Sequence, residues 1–217
     1  MKIIAITGSP RGDQSQTAAL TAELLQGAAS LGAETITFDV CQMQIAPCNA
    51  CEDCHRGPGC SIKDDAGSII RPMAEADGIV LASPVYLDHV SAQLKALLDR
   101  TSHYIHCLSL MGKYFAAVTT SGGGSGDTTA AFIRSYAISV GAQYVGAVHK
   151  ALPLSDESRQ EARALGVSLV EAIKEKREWS DQIAAIESHK EYFRQGIIHN
   201  RERWSYEYEI WQQKGWL

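Results

Sequence analysis

The chain has 217 residues, of which 45% are hydrophobic and 21% are charged, and its net charge at neutral pH is -5. This composition is typical of a folded globular protein, and the length suits one large domain with a short extension. The negative charge argues against a nucleic-acid-binding protein, which needs a basic face. Because no apolar run approaches the length of a membrane span, we expect a cytoplasmic protein with no membrane partner.

The first 150 residues alternate strand-like and helical segments. Apolar and β-branched runs predict five strands, at Lys2–Thr7, Glu34–Val40, Gly78–Ser83, Lys113–Thr120 and Gln143–His149. Helical spacing of apolar residues predicts helices over Ser15–Leu31, Asp64–Ala76, Val90–Ser102, Asp127–Val140 and Ser155–Trp179. Five such units predict an α/β, flavodoxin-like doubly wound fold, with helices on both faces of a five-stranded parallel sheet in the order 2-1-3-4-5.

We divide the chain into a flavodoxin-like domain, residues 1–178, and a helical extension, residues 179–217. The domain includes a cysteine loop over residues 41–62. The extension holds all four tryptophans, and Trp204, Tyr208 and Trp211 share one face of a predicted helix. This aromatic stripe either closes the chain's own core or docks against a second subunit. In the second case we expect a homodimer, or a tetramer built from dimers.

Four cysteines lie within thirteen residues, at the spacing Cys48-x2-Cys51-x2-Cys54-x5-Cys60. This spacing is close to that of bacterial ferredoxin segments, with two extra residues before the last cysteine. Structural zinc sites usually pair two short cysteine knuckles across a longer loop, and the second knuckle is missing from this sequence. The pattern therefore favours an iron–sulfur cluster. Redox-active thiols without metal and a zinc site are the alternatives.

Other residues with metal-binding or capping chemistry are weaker candidates. Cys41 and Cys107 lie outside the cysteine spacing, and we expect both to be buried and unreactive. The segment His103-x2-His106-Cys107 lacks a fourth metal ligand. Asp64, together with the aspartate after it, is expected to cap the helix that follows the cysteine loop.

Three loops follow the first, third and fourth predicted strands and therefore meet at one rim of the sheet. The first, GSPRGDQSQT, offers hydroxyls, an arginine and the free N–H groups of a helix start, which suit a phosphate monoester. The second, SPVYLDHVS, offers an apolar and aromatic surface for a flat ring, and the third, TTSGGGSG, offers exposed N–H groups for the ring edge. Because the Walker and dinucleotide-binding motifs are absent, this layout predicts a flavin mononucleotide (FMN) site.

Four motifs, in this order, resemble the NADPH-dependent FMN reductase family, and within it the iron–sulfur flavoproteins. They are GSPRGDQSQT, the cysteine loop with the following IKDD, ADGIVLASPVYLDHVSAQLKALLDR, and TTSGGG. The resemblance implies a cluster on the four cysteines. It implies FMN contacts at the phosphate from Ser9, Arg11, Ser15, Gln16 and Thr17, and at the ring from Pro84, Val85, Tyr86, Leu87, Ser121, Gly122, Gly123 and Gly124. Asp88 stands where relatives often have glycine, so we expect the loop beside the ring to differ in shape or charge.

The sequence therefore predicts an FMN-dependent oxidoreductase. Reduced nicotinamide, NADH or NADPH, passes a hydride to the flavin, and the electrons leave through a 4Fe–4S cluster or as a pair to a small acceptor. We expect no dedicated acid–base residue. One alternative is a non-enzymatic electron carrier that exchanges electrons with a ferredoxin-like partner, and another is a zinc-stabilised binding protein without flavin.

Overall fold

In the computed structural model, which describes residues 1–123 and 126–217, five strands form one parallel sheet. The strand order is β2-β1-β3-β4-β5, which confirms the predicted fold class. Each strand lies within two residues of its predicted bounds. The strands are β1 (Lys2–Thr7), β2 (Glu34–Asp39), β3 (Gly78–Pro84), β4 (Tyr114–Ser121) and β5 (Gln143–Ala151).

Helices cover both faces of this sheet, and the predicted helix over Val90–Ser102 is divided in two by a break after Asp99. The helices are α1 (Gln16–Ser30), α2 (Asp53–Arg56), α3 (Gly67–Glu75), α4 (Ala92–Asp99), α5 (Ser102–His106), α6 (Asp127–Ser139), α7 (Asp156–Glu175), α8 (Ser180–His199) and α9 (Ser205–Gln213). Within the described ranges, none of them combines the length and the apolar character that a membrane crossing requires.

The sheet buries apolar side chains on both faces, which is why its inner strands are almost continuously apolar in sequence. Along β1, Ile4 and Ile6 pack in the core cluster that includes α3, α4 and α6. Ile3 and Ala5 point the other way and pack with α1 and α7. All four are fully buried, and each isoleucine contributes about 1.5–3 kcal/mol to the free energy of folding.

Helices α1 and α7 cross in close contact at two glycines. A β-carbon on Gly27 would lie 2.1 Å from the carbonyl oxygen of Arg163, and one on Gly166 would lie 1.9 Å from that of Leu24. Even alanine at either position would force the two helices apart. The crossing therefore fixes the position of α1, whose first turn follows the loop after β1.

The C-terminal helices pack against the sheet domain. At the open edge of β5, the Gln182 side chain accepts a hydrogen bond from the Tyr144 N–H at 2.7 Å and donates one to its carbonyl at 2.9 Å. Trp211 is fully buried and donates its indole N–H to the His106 carbonyl at 3.0 Å. The other two members of the aromatic stripe are half-buried in the same apolar cluster. Within this chain the stripe therefore packs on the protein's own core, and the homodimer or tetramer stays a prediction.

Candidate functional site

A cavity lies at the carboxyl ends of β1, β3 and β4. The strand order reverses between β1 and β3, because β2 lies on one side of β1 and β3 lies on the other. Ligands bind at such topological switch points in open α/β sheets. Nine of the thirteen predicted FMN contacts line this cavity, so the structure brings together the three loops that the sequence singles out. The complete lining is Ser9, Arg11, Gln16, Thr17, Pro84, Val85, Tyr86, Thr120, Ser121, Gly122 and Leu152.

The other four predicted contacts differ in their placement. Ser15 caps α1, because its hydroxyl accepts a hydrogen bond from the Ala18 N–H at 3.0 Å. The Leu87 side chain is fully exposed to solvent. Gly123 lies on the loop after β4 without lining the cavity, and Gly124 lies outside the described residues.

One end of the cavity has the features of an anion site. Gln16 and Thr17 place the first turn of α1 against it, and helix starts carry free N–H groups and partial positive charge. The Thr17 and Thr120 hydroxyls share a hydrogen bond of 2.7 Å, which ties α1 to the end of β4. Among the described residues, no side chain or carbonyl group pairs with the exposed Arg11 guanidinium. A cation without a partner at a helix start suits a phosphate group.

The other end of the cavity is formed by the loop after β3. The Val85 N–H donates to the Thr120 carbonyl at 2.8 Å, so this loop is fixed to the end of β4. Beyond it, Leu87 and Asp88 form a tight turn with φ angles of 49° and 60°. Glycine adopts such left-handed angles most easily, and Asp tolerates them better than most residues. Asp88 therefore places a carboxyl group on the loop that follows the cavity. Its backbone has the left-handed conformation that glycine adopts most easily.

All four cysteines of the loop line a second cavity. Cys48 and Cys51 are exposed, whereas Cys54 and Cys60 are half-buried, and each is a free thiol. The loop has little regular structure apart from the single turn of α2. The other lining residues are Asn49, Ala50, Glu52, His55, Ile62, Asp99, Arg100 and Ser102.

All four cysteines line this one cavity, and none of them forms a disulfide. Four thiols around one cavity suit a four-iron cluster and also match the donor set of a structural zinc ion. The sequence spacing, which lacks the two paired knuckles usual for zinc, favours the cluster.

Arg100 holds the two ends of the cysteine loop together. It is 2% exposed, and its Nε–H donates to the Cys60 Sγ at 3.0 Å. One terminal nitrogen donates to the Ala46 carbonyl at 2.8 Å and to Asp64 Oδ2 at 2.7 Å. The other donates to the Ile62 carbonyl and to Asp64 Oδ1, each at 3.2 Å. All five N–H donors of the guanidinium are therefore used.

Asp64 does not cap α3 as the sequence predicts, because the helix has no side-chain cap at Ala66, and the carboxylate instead ties the base of the cysteine loop together. One oxygen accepts from the Ala66 N–H at 3.0 Å, near the start of α3, and the other accepts from the Ala46 N–H at 2.9 Å across the base of the loop. Burial by itself raises the pKa of this carboxyl, but the hydrogen bonds from Arg100 and the two amides outweigh burial and lower it. Asp64 is therefore the ionised partner of Arg100.

Helix α9 holds the cysteine loop at a second point. Glu207 is fully buried and accepts hydrogen bonds from His55 Nδ1 at 2.7 Å and from His106 Nδ1 at 3.0 Å. Burial raises the pKa of the Glu207 carboxyl, but the bonds from His106 and His55 outweigh it, and the net shift is downward. Nearby, Arg203 donates to both carboxylate oxygens of Glu52. These contacts join α9 and the turn before it to α5 and to the segment around α2, beside Cys54.

The His55–Glu207–His106 group is a hydrogen-bonded network rather than a metal site. Its ligand atoms lie within 4.8 Å of one another. However, the two imidazole rings are stacked, with centroids 4.9 Å apart and planes inclined by only 14°. A metal ion binds an imidazole nitrogen in the plane of the ring, and two nearly parallel stacked rings cannot both direct a lone pair at one ion. A carboxylate with one oxygen for each ring fits this geometry.

The weaker candidates of the sequence do not form a site. His106 is engaged by Glu207, and among the described residues no group hydrogen-bonds to the buried Nδ1 of His103. Burial raises the pKa of Cys107 to about 12. Burial, together with the nearby Asp39, raises the pKa of the half-buried Cys41 to about 11. Both thiols stay protonated at neutral pH, as expected for cysteines without a chemical role.

Comparison with known proteins finds matches over most of the chain. The chain is 39% identical over 138 residues to an iron-sulfur flavoprotein of Methanocaldococcus jannaschii, which covers 63% of this chain and 71% of that protein. An iron-sulfur flavoprotein of Archaeoglobus fulgidus is 29% identical over 223 residues, with both chains covered completely. The second match therefore includes the C-terminal helices.

Solved structures share the fold. A flavone reductase superposes with a TM-score of 0.67 at 19% identity, covering 81% of this chain and 64% of that one. A flavodoxin from the domain Archaea superposes with a TM-score of 0.56 at 18% identity, covering 80% of this chain and 99% of that one. Residues 1–157 match the sequence model of the NADPH-dependent FMN reductases. The chain therefore belongs to the NADPH-dependent FMN reductase family, a family of flavin-binding oxidoreductases, and it has the flavodoxin-like fold.

Proposed function

We propose that this protein transfers electrons from NADH or NADPH through FMN to a 4Fe–4S cluster held by Cys48, Cys51, Cys54 and Cys60. The observation that carries the proposal is that the four thiols of the ferredoxin-like spacing all line one cavity. The names of the relatives in M. jannaschii and A. fulgidus support the same interpretation.

The cavity at the ends of β1, β3 and β4 is the proposed FMN site. Arg11, Ser9 and the first turn of α1 would hold the phosphate, while Ser15 supports that turn as its cap. The loops at Pro84–Leu87 and at residues 121–124 would contact the isoalloxazine ring. Bound FMN supplies a hydride acceptor, and a bound cluster carries single electrons. The described residues of the lining include no carboxylate or histidine.

The extension, residues 179–217, is proposed to support the cysteine loop of the domain formed by residues 1–178. Glu207 and Arg203 both reach that loop from the extension. The exposure of Cys48 and Cys51 leaves one side of the proposed cluster accessible, which suits transfer to a ferredoxin-like protein that docks over the loop.

Steady-state kinetics test the proposal. Anaerobic protein loaded with FMN is mixed with NADH or NADPH and a small electron acceptor, with no partner protein present. We expect continuous oxidation of the nicotinamide. Transfer to acceptors that depend on the cluster should be lost in Cys51→Ala and kept in the control Cys41→Ala. Reduction of FMN in the wild type without any turnover would instead indicate an electron carrier that needs a partner protein.

A further inference from the structure

We propose that Arg100 is a positioning residue that fixes the Cys60 sulfur in the ligand set and raises the reduction potential of the cluster. This inference rests on the proposed function, because it requires a cluster on the four cysteines. It concerns a residue that lies outside the cysteine spacing and 40 positions from the sulfur that it contacts.

The surroundings of Arg100 hold its guanidinium in one orientation. Asp64 receives one bond from each terminal nitrogen, and two backbone carbonyls receive the remaining two terminal N–H groups. The planar group cannot rotate without breaking these four bonds. Its Nε–H is therefore directed at the Cys60 Sγ, 3.0 Å away, and the side chain is 2% exposed, so water does not compete for this bond.

Cys60 differs from the other three cysteines in its hydrogen-bond donor. Cys48 accepts from the Ala50 N–H at 3.4 Å, and Cys51 and Cys54 have hydroxyl neighbours at 3.7 and 3.9 Å. Among the described residues, only Cys60 receives a hydrogen bond from a charged group, and that bond is the shortest of the four. Hydrogen bonds shared with charged groups are about twice as strong as neutral ones.

A donor of this kind favours the reduced cluster. In a cluster held by these four cysteines, reduction by one electron would add one negative charge, part of which would fall on the Cys60 sulfur. The added charge strengthens the N–H···S bond, and hydrogen bonds to cluster sulfurs are among the features that set the reduction potential. Asp64 neutralises part of the arginine charge from the far side of the guanidinium, so the directed N–H group, rather than the net charge, accounts for most of the expected effect.

Anaerobic redox titration of the holoprotein tests this inference, with the cluster followed by its EPR signal and FMN by its absorbance. Two variants are compared with the wild type. Arg100→Gln combined with Asp64→Asn removes both buried charges together, and Arg100→Lys keeps a cation without the planar group. Arg134→Gln combined with Asp181→Asn is the matched control, because it removes an exposed ion pair of 2.8 Å between α6 and α8 that lies outside the cysteine cavity. The FMN potential is an internal control.

At the wild-type midpoint, we expect the ratio of reduced to oxidised cluster to fall about tenfold in the Arg100→Gln/Asp64→Asn variant, which is about 59 mV for one electron. Arg100→Lys should lower the midpoint potential of the cluster by a smaller amount. The midpoint potential of FMN should stay unchanged in all variants, and that of the cluster should stay unchanged in the control variant. If the double variant binds no iron, the cluster potential of Arg100→Lys alone shows whether Arg100 raises the potential.

Loss of iron from both Arg100 variants while FMN remains would support the positioning of Cys60 by Arg100. Two results would overturn the inference. They are a ratio of reduced to oxidised cluster within about twofold of wild type in the variants that retain iron, and an equal shift of the FMN potential. Iron and sulfide analysis of the wild type separates this failure from that of the proposed function: if the wild type itself carries no iron after anaerobic reconstitution, the proposed function fails.

Discussion

At the scale of single residues, Arg11 and Ser9 provide the most direct test of the FMN site. Alanine at both positions removes one charge-assisted and one neutral hydrogen bond to a phosphate, together worth about 2–4 kcal/mol. We expect the affinity for FMN to fall at least about tenfold while the fold persists, measured by the quenching of flavin fluorescence. Arg71→Ala, at another exposed arginine, is the control. An unchanged affinity in the double variant would contradict the phosphate assignment.

His103 predicts a specific dependence of stability on pH. Burial lowers its pKa from 6.5 to about 4. Between these values the unfolded chain binds a proton at this residue that the folded protein does not, so stability is lost as the pH falls. Each pH unit in that window corresponds to about 1.4 kcal/mol, which gives a total loss of about 3.5 kcal/mol across the whole window.

Urea unfolding at pH 7.5 and pH 4.5 measures this loss. The His103→Phe variant should lose about 2–3 kcal/mol less than the wild type over that interval. His199→Phe, which replaces an exposed histidine, should follow the wild type. If His103→Phe and the wild type lose stability in parallel, His103 is not the cause.

At the scale of elements, contacts from α9 stabilise the cysteine loop. Glu207→Ala leaves His55 and His106 without their shared acceptor, and we expect the free energy of unfolding to fall by about 2–4 kcal/mol. The matched control is Glu209→Ala, at an exposed position on the same helix.

Hydrogen exchange separates a local from a global effect of this change. Amides of residues 46–62 should exchange faster in Glu207→Ala, whereas those of β1 and β3 keep their protection. In Glu209→Ala both regions should behave as in the wild type. Unchanged exchange of the loop in Glu207→Ala would show that α9 does not support it.

At the scale of the whole molecule, the sequence predicts the sheet well because its signals are local. Apolar runs such as Lys2–Thr7 identify parallel strands, and the loops after three of these strands meet at one rim. The contacts that organise the cysteine loop join distant positions and carry no local signal. Arg100 meets a cysteine 40 residues away, and Glu207 meets His55 across 152 residues. The aromatic stripe was ambiguous for the same reason, because its spacing does not show which surface covers it.

The central claim is that one chain holds both a flavin and an iron–sulfur cluster. It is tested most directly by iron, sulfide and FMN analysis of anaerobically purified protein, together with its absorption spectrum. We predict one FMN, about four iron atoms and about four labile sulfides per chain. Cys51→Ala should lose iron and sulfide but keep FMN, and the control Cys41→Ala should keep all three. Zinc alone, or no metal after anaerobic reconstitution with iron and sulfide, would contradict this account.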